Sequence, residues 1–200
     1  MKTSLIILFS LIFSTTYSQI NFQSDINKTP LYPDIASQIE SRYKNYDFQF
    51  RFWIDGPLLR LNKKRLFVMT QLDNKWICDS YKLVYNRKNY ISLIKPEYHF
   101  SNCDSVWNYF MQNHILDLPT MEYLKIKFND LNGDGNTARV IIADGQSYSL
   151  EFLAKDKYKR LEYHCPITYN KNYPEIPELS EISNIIRLIF TIAKIKFEPC

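Results

Sequence analysis

Residues 46–55 alternate in hydropathy without a break. Tyr46, Phe48, Phe50, Phe52 and Ile54 fall on one parity, and Asp47, Gln49, Arg51, Trp53 and Asp55 on the other. Successive side chains of a strand point to opposite faces, so this run sets five large apolar groups on one side of a sheet. Asp55-Gly56-Pro57 ends it.

Three further strands follow at short intervals. They are Leu66–Leu72, Trp76–Tyr85 after the tight turn Asp73-Asn74, and Tyr90–Lys95 after a turn at Asn86–Asn89, with Pro96 as a stop. Connections this short make the neighbours antiparallel. A second set comprises Glu122–Phe128, Thr137–Ala143, Gln146–Leu153 and Arg160–Cys165. Asp144-Gly145 between its middle members is the strongest hairpin signal in the chain.

Helices separate the two sets. Pro33 and Asp34 open one through about Arg42, with Ile35 and Ile39 as its apolar stripe. Asp104 or Ser105 caps a second to about Leu116, with Val106, Trp107, Phe110, Met111 and His114 at helical spacing. Residues 166–177 read as an extended, proline-punctuated connection. Pro177 to Ile195 is a last helix, apolar over so much of its circumference (Leu179, Ile182, Ile185, Ile186, Ile189) that it must be buried. The expected fold is α+β: antiparallel sheet or sheets of about eight strands in two meanders, with a central helix and a buried C-terminal helix. It forms a single domain over residues 31–200, compatible with two repeated halves, 31–116 and 117–200. Residues 19–30 read as a flexible leader.

Residues 1–18 carry an address. Lys2 precedes an apolar run from Leu5 to Phe13, and Thr16-Tyr17-Ser18 places small residues before Gln19. This pattern is that of a secretory signal peptide, too short to anchor the chain in a membrane. Removal of residues 1–18 leaves 182 residues with 24 basic and 21 acidic side chains. A charge of that size points to no nucleic acid, and the one basic triplet, Lys63-Lys64-Arg65, sits beside a strand start. The mature chain contains no expected membrane span, since Arg187 and Lys194 interrupt its most apolar helix. An outer-membrane barrel would suit eight short strands, but the helices, the last one above all, speak against it.

Cys78, Cys103, Cys165 and Cys200 remain after processing, and an even number in an exported chain indicates disulfides with three possible connectivities. The turn at Asn86–Asn89 places the antiparallel partner of Cys78 near Glu97, which brings Cys103 within reach and leaves Cys165 and Cys200 as the other pair. Zinc is the alternative, but His164 and Cys165 are strand neighbours that face opposite ways.

Asp130-Leu131-Asn132-Gly133-Asp134-Gly135-Asn136 matches the first half of a calcium loop, with Asp130, Asn132, Asp134 and Asn136 as candidate ligands. Position twelve is Ile141 instead of a bidentate glutamate, and the flanks read as strands. A hairpin loop explains the segment as well, and no other cofactor is expected. No catalytic residue is assigned. Serine elbow, phosphate loop and metalloprotease spacings are absent. His114 falls on the apolar side of its helix, and His99 lies beside Glu97 and Asp104, where acid–base work is conceivable. Tyr85, Tyr90, Tyr98, Tyr148, Tyr158, Tyr163, Tyr169 and Tyr173 crowd the strands and their connections, as a sugar- or peptide-binding platform or as ordinary strand aromatics would.

A Trp107-containing helix, Leu118-Pro119, the turn Asp144-Gly145-Gln146-Ser147-Tyr148, Tyr163 followed by Pro166, and an Ile-rich final helix stand in this order. The combination resembles small exported proteins of unknown function from Gram-negative bacteria, and the resemblance implies no activity. The expectation is an exported protein of the periplasm, cell surface or medium, binding a protein, peptide or glycan without catalysis. The alternative is a periplasmic or secreted hydrolase built around His99 or His164.

Overall fold

Among the described residues, six strands form one antiparallel sheet in the order β4-β3-β2-β1-β5-β6. The structure is a computed structural model that describes residues 20–25, 29–55, 64–85, 91–133, 142 and 145–195. Among them the elements run α1 (Pro33–Arg42), β1 (Phe48–Asp55), β2 (Arg65–Leu72), β3 (Lys75–Tyr85), β4 (Ile91–Phe100), α2 (Cys103–Gln112), α3 (Met121–Asn132), β5 (Ser147–Ala154), β6 (Lys157–His164), α4 (Pro166–Asn172) and α5 (Pro177–Ile192). The first four strands are a meander, and the β5–β6 hairpin joins it by pairing β5 with β1. The α+β class and the antiparallel sheet are as the sequence leads one to expect.

Four expected elements differ. Pro96 does not stop the fourth strand: β4 runs through it to Phe100, with Pro96 opposite Tyr81. Glu122–Phe128 is not a strand but the body of α3. Thr120 caps that helix by accepting from Tyr123 N, and Gly133 ends it at φ +75°. Leu124 and Phe128, spaced i and i+4, are its buried side chains, while Ile126 between them is 59% exposed. Alternation around Lys125 and Lys127 therefore misleads, because an i, i+4 pair satisfies both periods. Within the expected extended connection, Pro166 opens α4, where a missing N–H costs nothing. Residues 20–25 belong to the segment read as a flexible leader, yet they lie against β6. Asp25 N donates to Tyr158 O at 2.6 Å, Arg160 N donates to the Asp25 carboxylate at 3.0 Å, and Phe22 is buried in the core. The expected strand Thr137–Ala143 falls largely outside the described residues, as do residues 1–19.

The parity of β1 sorts the two sides of the sheet. Phe48, Phe50, Phe52 and Ile54 meet Phe67 and Met69 on β2, Tyr148, Leu150 and Phe152 on β5, and the inner faces of α2, α3 and α5. Trp107 of α2 stacks on Trp76 with ring centres 4.4 Å apart and meets Phe48 at 5.2 Å. The opposite parity is also covered. Ile35 and Ile39 of α1 pack on Trp53, Leu66, Val68, Tyr81 and Leu83. Polar side chains fill the rest of that layer.

Candidate functional site

Three chain reversals meet at one end of the sheet and enclose a groove of about 950 Å³. Asn45, Tyr46 and Asp47 come from the α1–β1 connection, Asp73 and Asn74 from the β2–β3 turn, and Lys155, Asp156 and Lys157 from the β5–β6 turn. Phe48, Gln71 and Ala154 lie between them, and Ile20 closes one side. The turn chemistry is local. Asn45, Asp73 and Asn74 all have positive φ (62°, 49° and 61°), a conformation that asparagine and aspartate tolerate better than most residues. Two successive residues of that kind close the β2–β3 hairpin with the twist its strands require. Three carboxylates, two ammonium groups, three amides and a phenol thus share a concave surface with little net charge. Burial raises the Tyr46 pKa, while nearby Arg51 opposes that shift.

Beneath α1 lies a second concentration of polar chemistry, built as a closed layer. Glu151 is fully buried on β5, directly opposite Arg51 in register. Its carboxylate accepts from Leu31 N (2.8 Å), the Tyr158 hydroxyl (2.6 Å) and Trp53 Nε1 (2.7 Å). Arg51, also fully buried, donates Nε–H to Gln49 Oε1 at 2.6 Å and Nη2–H to Glu40 at 3.0 Å, and Gln49 donates onward to Thr70 at 2.9 Å. The Arg51 Nη1 group is buried without a partner among the described residues. This layer bonds to itself and offers solvent no acceptor row, so it reads as architecture.

The three histidines end in different places. His99 does not face Glu97 or Asp104. Glu97 bonds Arg65 at 3.2 Å, and His99 Nδ1 lies 3.0 Å from Asp79 across the β3–β4 pair. Asp79 also accepts from the Tyr43 hydroxyl, which lies 2.8 Å from the Tyr81 hydroxyl. Burial, then the bond to Asp79, drive the Tyr43 pKa far above its ordinary value. The imidazole is anchored at one nitrogen and 69% exposed. His114 is not on an apolar face. It lies beyond the end of α2 at φ +48°, exposed, with Nδ1 2.7 Å from Glu181 of α5. His164 sits opposite Ser147, whose Oγ is 3.3 Å from its Nδ1.

The calcium candidates divide. Asp130 and Asn132 are in the last turn of α3, where Asn132 Nδ2 lies 3.3 Å from the Tyr173 hydroxyl, and Asp134 and Asn136 lie outside the described residues. The expected strand flank on their N-terminal side is a helix. Among the described residues no cluster of three or more His, Cys, Asp or Glu side chains suits a metal ion, and no helix is long and apolar enough to cross a membrane.

Cys78 and Cys103 are buried free thiols, and Cys165 is disulfide-bonded. Cys200 lies outside the described residues. The strand partner of Cys78 is Phe100 and not a residue near Glu97, because irregularities between Ser80 and Leu83 shift the β3–β4 register. Tyr148, Tyr163 and Tyr173 are fully buried, so they supply core and no binding platform.

Of the groove residues only Asp73 and Asn74 were legible in the sequence as a turn. The signal that could have singled them out is alternation along the meander, which returns every second connection to the same end. No protein-family model and no curated protein matches the chain.

Proposed function

We propose that this is an exported, non-enzymatic binding protein that takes a short oligosaccharide in the groove at the sheet end. One observation carries the reading: a concavity of about 950 Å³ lined by Asp47, Asp73, Asp156, Asn45, Asn74 and Gln71 around Tyr46. Carboxylates and amides accept and donate to neighbouring sugar hydroxyls, and an aromatic ring covers the apolar face of a pyranose. A volume of that size suits a small ligand, and a lining this polar suits one that is itself hydrated. Export is supported by the pattern of residues 1–18 and places the groove where cell-surface glycans are found.

The test is a glycan array followed by calorimetry on the purified mature chain and on Asp47→Ala and Asp156→Ala. Binding of an oligosaccharide that weakens at least tenfold in both variants is the expected result. Unchanged affinity in both variants, or binding confined to peptides, overturns it. Sequencing the N-terminus of the exported material is expected to begin near Gln19, and an intact Met1 would remove export from the reading.

The hydrolase reading has one geometric support, the Asp79–His99 pair with its exposed imidazole. A carboxylate that fixes one ring nitrogen leaves the other free to move a proton. Neither residue lines the groove. Hydrolysis of an array glycan that disappears in His99→Ala would favour this reading over simple binding.

A further inference from the structure

Two thiols are buried together where β3 meets the start of α2. Cys78 lies opposite Phe100 on the β3–β4 pair, and Cys103, three residues further on, is the first residue of α2. Both are free and no more than 2% exposed. Both belong to one buried cluster, and the Cys103 thiol donates to the carbonyl of Phe100, the strand partner of Cys78, at 3.3 Å. A lone buried cysteine acts as a small apolar side chain. Two that are buried side by side can instead be joined.

We propose that Cys78 and Cys103 are a reactive dithiol that an external disulfide converts into a Cys78–Cys103 bond, locking the first turn of α2 to the third strand. The two sulfurs have unequal roles. Cys103 is the first residue of α2, where the helix N-terminus favours a thiolate, whereas burial raises the Cys78 thiol. Cys103 therefore supplies the attacking thiolate. It attacks one sulfur of the oxidant and expels the first thiolate as a mixed disulfide forms. Cys78 then attacks the Cys103 sulfur and expels the second. Each protein thiol loses one proton, which the departing thiolates take up. The protein gives up two electrons and the oxidant disulfide gains them. Because both sulfurs are shielded, the first turn of α2 must open before the oxidant can enter.

The purified chain, under native conditions with excess oxidised glutathione, provides the test and does not depend on where the protein resides. After alkylation and digestion without reduction, a linked Cys78–Cys103 peptide is expected, with the loss of two alkylatable thiols. The oxidised protein should melt roughly 10 °C higher than the same protein with the pair alkylatable, as closing a loop of this length implies. Cys103→Ser should abolish the gain in melting temperature and leave Cys78 unmodified. Two free thiols after prolonged oxidation, a persistent glutathione adduct on Cys103, or a Cys78–Cys165 peptide would each overturn the proposal. Mapping of the wild-type protein decides the matter even where the serine variant does not fold.

Discussion

The two faces of the central strand β1 are equally inaccessible and chemically opposite. Phe48, Phe50 and Phe52 sit in an aromatic core, while Gln49 and Arg51, each 0% exposed, sit in a polar layer beneath α1. On the first face apolar area removed from water and close packing hold the layers together. On the second, the stabilising requirement is satisfaction: each donor and acceptor taken from water must find another. Hydrophobic packing degrades by degrees when an atom is lost, whereas a satisfied polar layer fails at the group that loses its partner.

The largest expected effect is on the aromatic face. Phe50 touches Phe110 and Phe152, each with ring centres 5.4 Å away, and is completely buried. Phe50→Ala should cost about 3–5 kcal/mol in urea unfolding, through lost transfer energy and a cavity. A loss under about 1 kcal/mol would mean that this face is loosely packed and that the comparison fails.

Glu151→Leu should approach that loss, at about 3 kcal/mol, by a different route. It leaves Leu31 N, the Tyr158 hydroxyl and Trp53 Nε1 without their acceptor. Glu151→Gln keeps one carbonyl oxygen and should recover part of the loss, which an apolar packing site would not do. Amide exchange at Leu31 should accelerate in the leucine variant. Equal stability of Glu151→Leu and the wild type would show that the polar layer contributes nothing.

How much of this was readable beforehand follows the same division. Period-two alternation in Tyr46–Asp55 and the tight turn Asp73-Asn74 each report a local backbone requirement, and β1, β2 and β3 stand where those signals place them. The pairing of β1 with β5 is set by packing across nearly a hundred residues and leaves no local mark. For that reason the groove was invisible, although one of its turns, Asp73-Asn74, was not. The polar parity of β1 gave no hint of burial either, since nothing in Gln49 or Arg51 announces that α1 will cover them. Tyr46 shows where the pattern overreaches. It continues the alternation of Phe48, yet it precedes the strand and lies close enough to Arg51 and Glu40 to feel their charges.

Alkaline pH should test both faces at once. Burial raises the pKa of Tyr148 and Tyr163 on the aromatic side and of Tyr43, Tyr81 and Tyr158 on the polar side. Above about pH 10 the unfolded chain releases phenolic protons that the folded chain retains. The unfolded state then binds fewer protons, so stability falls as pH rises and is fully present only below that range. The urea midpoint should be flat from neutral pH to about pH 9 and should decline beyond it. Tyr163→Phe and Tyr158→Phe should each make the decline shallower, and a midpoint unchanged at about pH 11 would contradict the burial of these rings.

The smallest expected effect comes from what looks like the most disruptive change, Arg51→Met. The guanidinium is fully buried, its Nη1 group has no partner among the described residues, and its ionic partner Glu40 is 45% exposed. The interaction thus sets a large desolvation cost against an attraction that solvent screens at one end. Methionine fills a similar volume, removes the orphaned donor and leaves Glu40 free to hydrate. Gln49 loses the bond to its Oε1 but keeps its donation to Thr70. The change in unfolding free energy should therefore stay within about 1 kcal/mol of zero, against the much larger loss for Glu151→Leu directly across the β1–β5 pair. If Arg51→Met instead costs as much as Glu151→Leu, the arginine anchors the layer, and the polar face depends on charge pairing as well as on satisfied hydrogen bonds.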